Sequence, residues 1–235
     1  MTPGAILTKT CPSCGHHVRQ KTFASVNAYW SREWTDGFIA RPMWPDTPRL
    51  VRCLACEQLF WLDEQAVIWR RWPQDPETEE DRAFSGALSF GRPLLDEYMD
   101  FLETHSLDAR KEQYVRLQAW WTGNDPRRRW DEPAPPPTLR DRLKALFFRP
   151  ETPAPSPQPL PLGPREITNL EALVVTLSDA DAGERLYRAE ALRELGQFDE
   201  ATRLLDAPFD KELEPRARVI RRLSAQGMST VACVP

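Results

Sequence analysis

Two Cys-x-x-Cys pairs, CPSC at residues 11–14 and CLAC at residues 53–56, restrict what this chain can become more than any other feature. Cysteines three apart on a tight turn aim both sulfurs at one ion. Two such turns complete a tetrahedron of four thiolates, the closed geometry of structural zinc. Four thiolates leave no open coordination position, so the spacing points to a structural rather than a catalytic metal. In the first pair Pro12 sets its own φ, and Gly15 tolerates the left-handed conformation often needed just past the second ligand. The second pair has Glu57 in place of that glycine. A thioredoxin-like redox pair would lie between a strand and a helix of a βαβ unit, a pattern this sequence lacks. His16 and His17 flank the first turn and could replace a cysteine as ligand; they read instead as surface residues. The fifth cysteine, Cys233, stands alone and reads as an apolar filler.

Between Cys14 and Cys53 lie 38 residues, and closure entropy grows slowly enough with length that an inserted hairpin there is tolerated. Residues 26–34 are aromatic and β-prone, residues 35–37 (TDG) supply a turn with Gly37 able to take positive φ, and residues 38–44 resume an extended pattern. Six of the nine tryptophans fall in residues 1–72, where so small a metal-stapled unit needs large aromatics to build a core. Within ARPMWPDTP the prolines prevent a central strand, so Met43 and Trp44 are expected to form an adaptable apolar tip for a partner.

With 41% apolar and 10% aromatic residues in 235, the chain can bury a real core. Its net charge of −4 is uneven: residues 73–132 carry 14 acidic against 8 basic side chains, whereas residues 1–72 are mildly basic. A general nucleic-acid binder would show a strongly basic domain. Neither a leader pattern nor a run of 18 apolar residues is seen, which leads to the expectation of a cytoplasmic protein.

Beyond residue 73 the periodicity becomes helical. Leu94, Leu95, Tyr98, Phe101 and Leu102 share one face of a helix beginning near Pro93, and Tyr114, Leu117 and Trp121 share one face of a second helix from Asp108 that ends at Gly123. Arg127, Arg128 and Arg129, flanked by Trp121 and Trp130, are candidates to grip phosphate beside stacking aromatics; the competing reading caps helix C-termini and pairs them with the acidic run upstream, PQDPETEEDR. Residues 133–164 hold 11 of the 23 prolines and read as a semi-rigid linker, interrupted by the short basic amphipathic stretch TLRDRLKALFFRP. Helical patterning returns from residue 165.

Residues 11–63 resemble a zinc ribbon, in which two Cys-x-x-Cys knuckles on short hairpins share one zinc. That resemblance implies Cys11, Cys14, Cys53 and Cys56 as the ligands. ERLYRAEALRELGQFDEATRLLDAP, residues 184–208, resembles one tetratricopeptide hairpin, with Ala189 in the first helix, Gly196 at the turn, and Phe198, Ala201 and Leu205 following. Arg185 and Arg188 depart from that pattern. Leu213, Ala217, Ile220 and Leu223 suggest a flanking helix.

The expected fold class is α+β: a zinc-stapled β module with an inserted hairpin (residues 1–72), a helical hairpin packed on it (73–132), the proline-rich linker (133–164) and a tetratricopeptide-like helical section (165–235). This combination resembles machinery that holds other proteins, an architecture found among poorly characterised bacterial proteins. The functional expectation is therefore a non-enzymatic adaptor carrying one structural Zn2+ and binding a protein partner, with a zinc-ribbon nucleic-acid regulator as the alternative. An enzyme would need a base or nucleophile constellation, and His105 stands alone at a helix end.

Overall fold

The computed structural model describes residues 2–27, 29, 31–43, 47–128 and 160–235. Its architecture is α+β, with small antiparallel sheets followed by helices. Strand β1 (Thr2–Thr10) forms a long hairpin with β2 (His17–Ser25). The insertion supplies β3 (Arg32–Trp34) and β4 (Ile39–Ala40), and a second hairpin joins β5 (Leu50–Cys53) to β6 (Leu59–Trp61). β7 (Trp69–Arg71) adds to the free edge of β1, and β8 (Phe90–Gly91) adds to β5. The last strand, β9 (Cys233–Val234), pairs with β3, giving a third sheet of order β4-β3-β9. The chain's end is thereby hydrogen-bonded to the insertion, with Thr35 N–H donating to the Ala232 carbonyl at 2.9 Å.

The acidic run at 73–82 initiates helix α1 (Glu79–Ala83): the Thr78 hydroxyl accepts from Asp81 N–H while the Asp81 carboxylate accepts from Thr78 N–H, a reciprocal cap. Helix α2 (Leu95–Thr104) buries Tyr98, Met99 and Phe101. Leu94, expected on that face, is the N-cap and remains exposed. Helix α3 (Ala109–Asn124) starts where the Asp108 carboxylate accepts from the N–H groups of Arg110 and Lys111. Its buried apolar side chains are Val115, Ala119 and Trp120, one register from the predicted stripe, because α3 has packed neighbours on both sides. Gly123 does not end it. The helix runs on into a 3-10 turn (Asp125–Arg127), and a Cβ at Gly123 would meet Glu166 Oε1 at 2.6 Å, so this glycine leaves room for the Glu166 carboxylate.

The remaining helices are α4 (Pro164–Thr176), α5 (Ala182–Glu194), α6 (Phe198–Leu205) and α7 (Glu214–Ala225). Between α5 and α6 the Gly196 N–H reaches the Arg193 carbonyl and the Gln197 N–H reaches the Leu192 carbonyl, with Gly196 at φ 78°. This is the reverse turn that only glycine makes without strain. Ala189, Leu205, Ala217 and Ile220 form one buried cluster that joins α5, α6 and α7. Arg185 and Arg188 stay outside: Arg185 stacks on Phe209 and donates to the Pro208 carbonyl, while Arg188 pairs with Asp179.

Successive apolar clusters join these parts. Val18, Val51, Phe60 and Leu62 surround the cysteines; Leu50 and Trp61 pack on Tyr98, Phe101 and Val115; Trp120 of α3 packs on Leu170 and Leu173 of α4 and Ala191 of α5. Residues 129–159, including TLRDRLKALFFRP and most of the proline-rich segment, lie outside the described residues.

Candidate metal centre

The two cysteine turns are near copies. Cys11 N–H donates to the His16 carbonyl and Gly15 N–H to the Cys11 carbonyl, both at 2.9 Å. One hairpin away, Cys53 N–H donates to the Gln58 carbonyl at 3.0 Å and Glu57 N–H to the Cys53 carbonyl at 2.9 Å. Gly15 and Glu57 occupy matching left-handed positions, at φ 72° and 62°, and Glu57 is the one non-glycine with positive φ among the described residues. A left-handed side-chain residue costs about 1 kcal/mol relative to glycine. Glu57→Gly is therefore expected to raise stability by about 1 kcal/mol. Gly15→Ala should lower it by a similar amount, since a Cβ at Gly15 meets nothing within 4 Å and only the backbone is strained. Denaturant midpoints of the two variants check both signs.

The turns face one another across the apolar cluster, and the four sulfurs of Cys11, Cys14, Cys53 and Cys56 lie within 4.8 Å of each other. Two approaches between the turns are 3.8 Å for Cys11 to Cys56 and 3.8 Å for Cys14 to Cys53. A disulfide needs about 2.05 Å. Metal–sulfur bonds of about 2.3 Å in a regular tetrahedron place sulfurs about 3.8 Å apart, so the donor set fits a tetrahedral thiophilic ion. The thiols are electrostatically interdependent as well. Burial pushes the Cys11 thiol up, but N–H groups of Cys14 and Ser13 and neighbouring thiols outweigh it and bring it to about 7. Cys56 accepts from the Gln58 N–H, yet burial and the three other sulfurs push it up to about 12. Several thiolates in one small space need a cation to offset their mutual repulsion. Among the described residues this is the one group of three or more Cys, His, Asp or Glu side chains placed to hold a metal, and neither His16 nor His17 belongs to it. The His17 ring packs on Phe84.

The other residues singled out from sequence fare differently. Met43 is half-buried, and Trp44 lies outside the described residues. Arg127 and Arg128 turn inward rather than forming a gripping surface. Both guanidinium Nη atoms of Arg127 engage Glu166, at 2.6 and 2.8 Å, and the same group donates to the carbonyls of Gly123, Leu160 and Pro161. Arg128 is 3% exposed, pairs with Asp36 and Asp125, donates to the Trp121 carbonyl at 2.7 Å, and lies 4.1 Å over the Phe38 ring. Arg129 lies outside the described residues. Cys233 is exposed in β9, and its neighbour Val231 takes the buried place.

Compared with protein-family models, with curated proteins and with solved structures, this chain matches none.

Sequence reading missed a buried polar network where the insertion meets the helices. Asp36, in the β3–β4 turn, accepts from Arg128 and from Asn124 Nδ2 at 3.1 Å, and its backbone carbonyl accepts from Trp121 Nε1 at 2.9 Å. The same Asn124 amide donates to Glu194, which also accepts from Trp120 Nε1 at 2.9 Å. One turn back on α5, Arg193 holds Glu190 through two bonds, 2.6 and 2.7 Å, and donates to the Met228 and Thr230 carbonyls of the C-terminal segment. Burial raises the Asp36 carboxyl against the pull of Arg128, and burial with the Glu190 and Asp36 charges raises Glu194 to about 8. One signal was legible in advance: Glu190 and Arg193 share a helical face with Leu186 and Ala189, so an ion pair sits on the apolar stripe. Among the described residues, no helix is long and apolar enough to cross a membrane.

Proposed function

We propose that this protein is a non-enzymatic protein-binding adaptor: a zinc-ribbon-like N-terminal staple holding one structural Zn2+, joined to tetratricopeptide-like helices. The sulfur spacing and closed four-thiol donor set support zinc over oxygen-seeking ions. The α5–α6 hairpin, with Ala189 buried in the cluster it shares with Leu205 and a left-handed Gly196 at its turn, supports the helical half of the reading. A reducing compartment such as the cytoplasm suits a site made of four thiolates.

The observation that carries the choice between adaptor and nucleic-acid regulator is the orientation of Arg127 and Arg128. Their donors are occupied by Glu166, Asp36, Asp125 and main-chain carbonyls, so the basic patch that the regulator needs loses two of its three arginines. Against enzymatic function, the His105 ring stacks on Phe101 at 4.0 Å, with Nδ1 beside the Phe101 carbonyl and the Thr104 hydroxyl. The Thr104 hydroxyl also bonds the Asp100 carbonyl at 2.7 Å, and among the described residues no carboxylate orients that ring as a general base. The test is capture of partners by the zinc-loaded chain from native lysate, with and without nuclease. Partners retained after nuclease and lost on deleting residues 165–235 are expected. Nucleic acid in the eluate, or partners released by nuclease, would transfer the assignment to the regulator.

A further inference from the structure

The four cysteines of the metal centre are not equivalent toward solvent. Cys11 and Cys53, the first cysteine of each turn, are 0% exposed and lie in the apolar cluster of Val18, Val51, Phe60 and Leu62. Cys14 is exposed, and Cys56, its counterpart in the second turn, is half-buried. The site therefore has a closed side in the core and an open side toward water, where a dissolved reagent meets Cys14 first. Across the turns the Cys53 sulfur lies 3.8 Å from that of Cys14. A disulfide is about 2.05 Å long, so an approach of about 1.8 Å would join the two. An accessible thiol with a second thiol in reach is the arrangement by which cysteines sense oxidants. Cys233 is exposed as well, yet stands outside the four-sulfur group.

We propose that this centre is a reversible oxidant-sensitive switch: a hydroperoxide converts Cys14 and Cys53 into a disulfide, which expels the zinc and keeps the two turns joined. The inference rests on the structural-zinc reading above and adds a regulation of that site. In the first step the Cys14 thiolate attacks one peroxide oxygen. An S–O bond forms, the O–O bond breaks, and Cys14 becomes a sulfenic acid. The Cys53 thiolate then attacks the Cys14 sulfur, forming the S–S bond and breaking the S–O bond. Each departing hydroxide takes a proton from solvent, so the thiolate pair gives two electrons to the peroxide and two waters leave. Cys11 and Cys56 then supply only half of a tetrahedral donor set, which releases the ion. Because the new bond crosses between the turns, the apolar cluster keeps a fastening in place of the metal. A reducing thiol returns both cysteines by exchange, as a reducing compartment allows.

The experiment titrates the full-length, zinc-loaded protein with hydrogen peroxide. Zinc release is read with a chelating dye, disulfides are mapped by peptide mass spectrometry after free thiols are blocked, and the hairpins are followed by tryptophan fluorescence. Expected are one zinc released per first disulfide formed, a Cys14–Cys53 linkage as that first product, and recovery of zinc binding after dithiothreitol and fresh zinc. The oxidised, metal-free protein should keep near-native fluorescence, whereas the reduced, metal-free protein loses it as the hairpins melt. Cys233→Ser should leave the release curve unchanged, separating the centre from the exposed thiol of β9. A first disulfide within one turn, Cys11–Cys14 or Cys53–Cys56, would overturn the cross-turn assignment. Zinc retained while Cys233 is oxidised would overturn the switch and leave the structural metal standing. Protein that carries no zinc before peroxide is added would overturn the metal reading itself, and the switch with it.

Discussion

Chelating the metal, or replacing Cys53 by Ser, is expected to melt the two cysteine hairpins while most of the helical signal survives. Cys11 and Cys53 are fully buried and form part of the cluster containing Val18, Val51, Phe60 and Leu62, so that core exists only while the turns are held together. Metal binding in small zinc modules contributes on the order of 10 kcal/mol to folding, comparable with the whole stability of an ordinary domain. Three thiolates and a serine cannot retain most of that. The clusters of α4 to α7 contain none of the four cysteines, which is why helicity should outlast the hairpins. Chelator titration followed by tryptophan fluorescence and far-ultraviolet circular dichroism, with released zinc counted against protein, reads all three quantities. Unchanged thermal unfolding after complete metal removal would sink the structural-zinc assignment, and a stoichiometry other than one ion per chain would change the site.

The second large effect lies in the buried ion pair. Arg193→Met is expected to destabilise the protein by about 3–5 kcal/mol, because it strands the Glu190 carboxylate without its partner in a fully buried position. It also removes the donors to the Met228 and Thr230 carbonyls, loosening the segment that carries β9 to β3. The double variant Glu190→Leu with Arg193→Met should recover much of the loss, since a pair of apolar side chains needs no desolvation. A double variant as unstable as the single one would show that the carbonyl contacts, not the charge pair, dominate. The neighbouring acid adds a pH dependence. Glu194 is raised from an ordinary 4.5 to about 8 in the folded state, so over that interval the native protein holds a proton that the unfolded chain releases. Stability therefore falls as pH rises from about 4.5 to about 8, by an amount on the order of a few kcal/mol, and Asp36, also raised, bends the curve the same way. Glu194→Gln should flatten that slope; an equally steep profile in the variant would assign it elsewhere.

Some of this was readable from local pattern alone. The metal centre was legible because its geometry is local: a Cys-x-x-Cys turn closes on itself, and two such turns offer one tetrahedron wherever they meet. Gly37 and Gly196 were legible for the same reason, since a left-handed residue is demanded by the turn itself. Helices α2 and α3 were legible as elements, but their buried faces were not fully so. Leu94 slipped out to become a cap, and α3 buried Val115, Ala119 and Trp120 because it packs between α2 and α4.

The residues that sequence reading placed on a surface show the limit most clearly. Three arginines in a row offer charge, and nothing within ten residues says whether that charge meets solvent or an acid 92 positions away, as Arg128 meets Asp36. The pairing of β9 with β3 and the network around Asn124 likewise join segments 70 to 200 residues apart. What the sequence by itself determined was the chemistry of short-range units: the four-thiol donor set, the glycine turns and the helical periodicity. Only the tertiary structure decided which charges are buried and which distant strands pair. Burial and pairing depend on what the rest of the chain brings alongside, and no local periodicity encodes that.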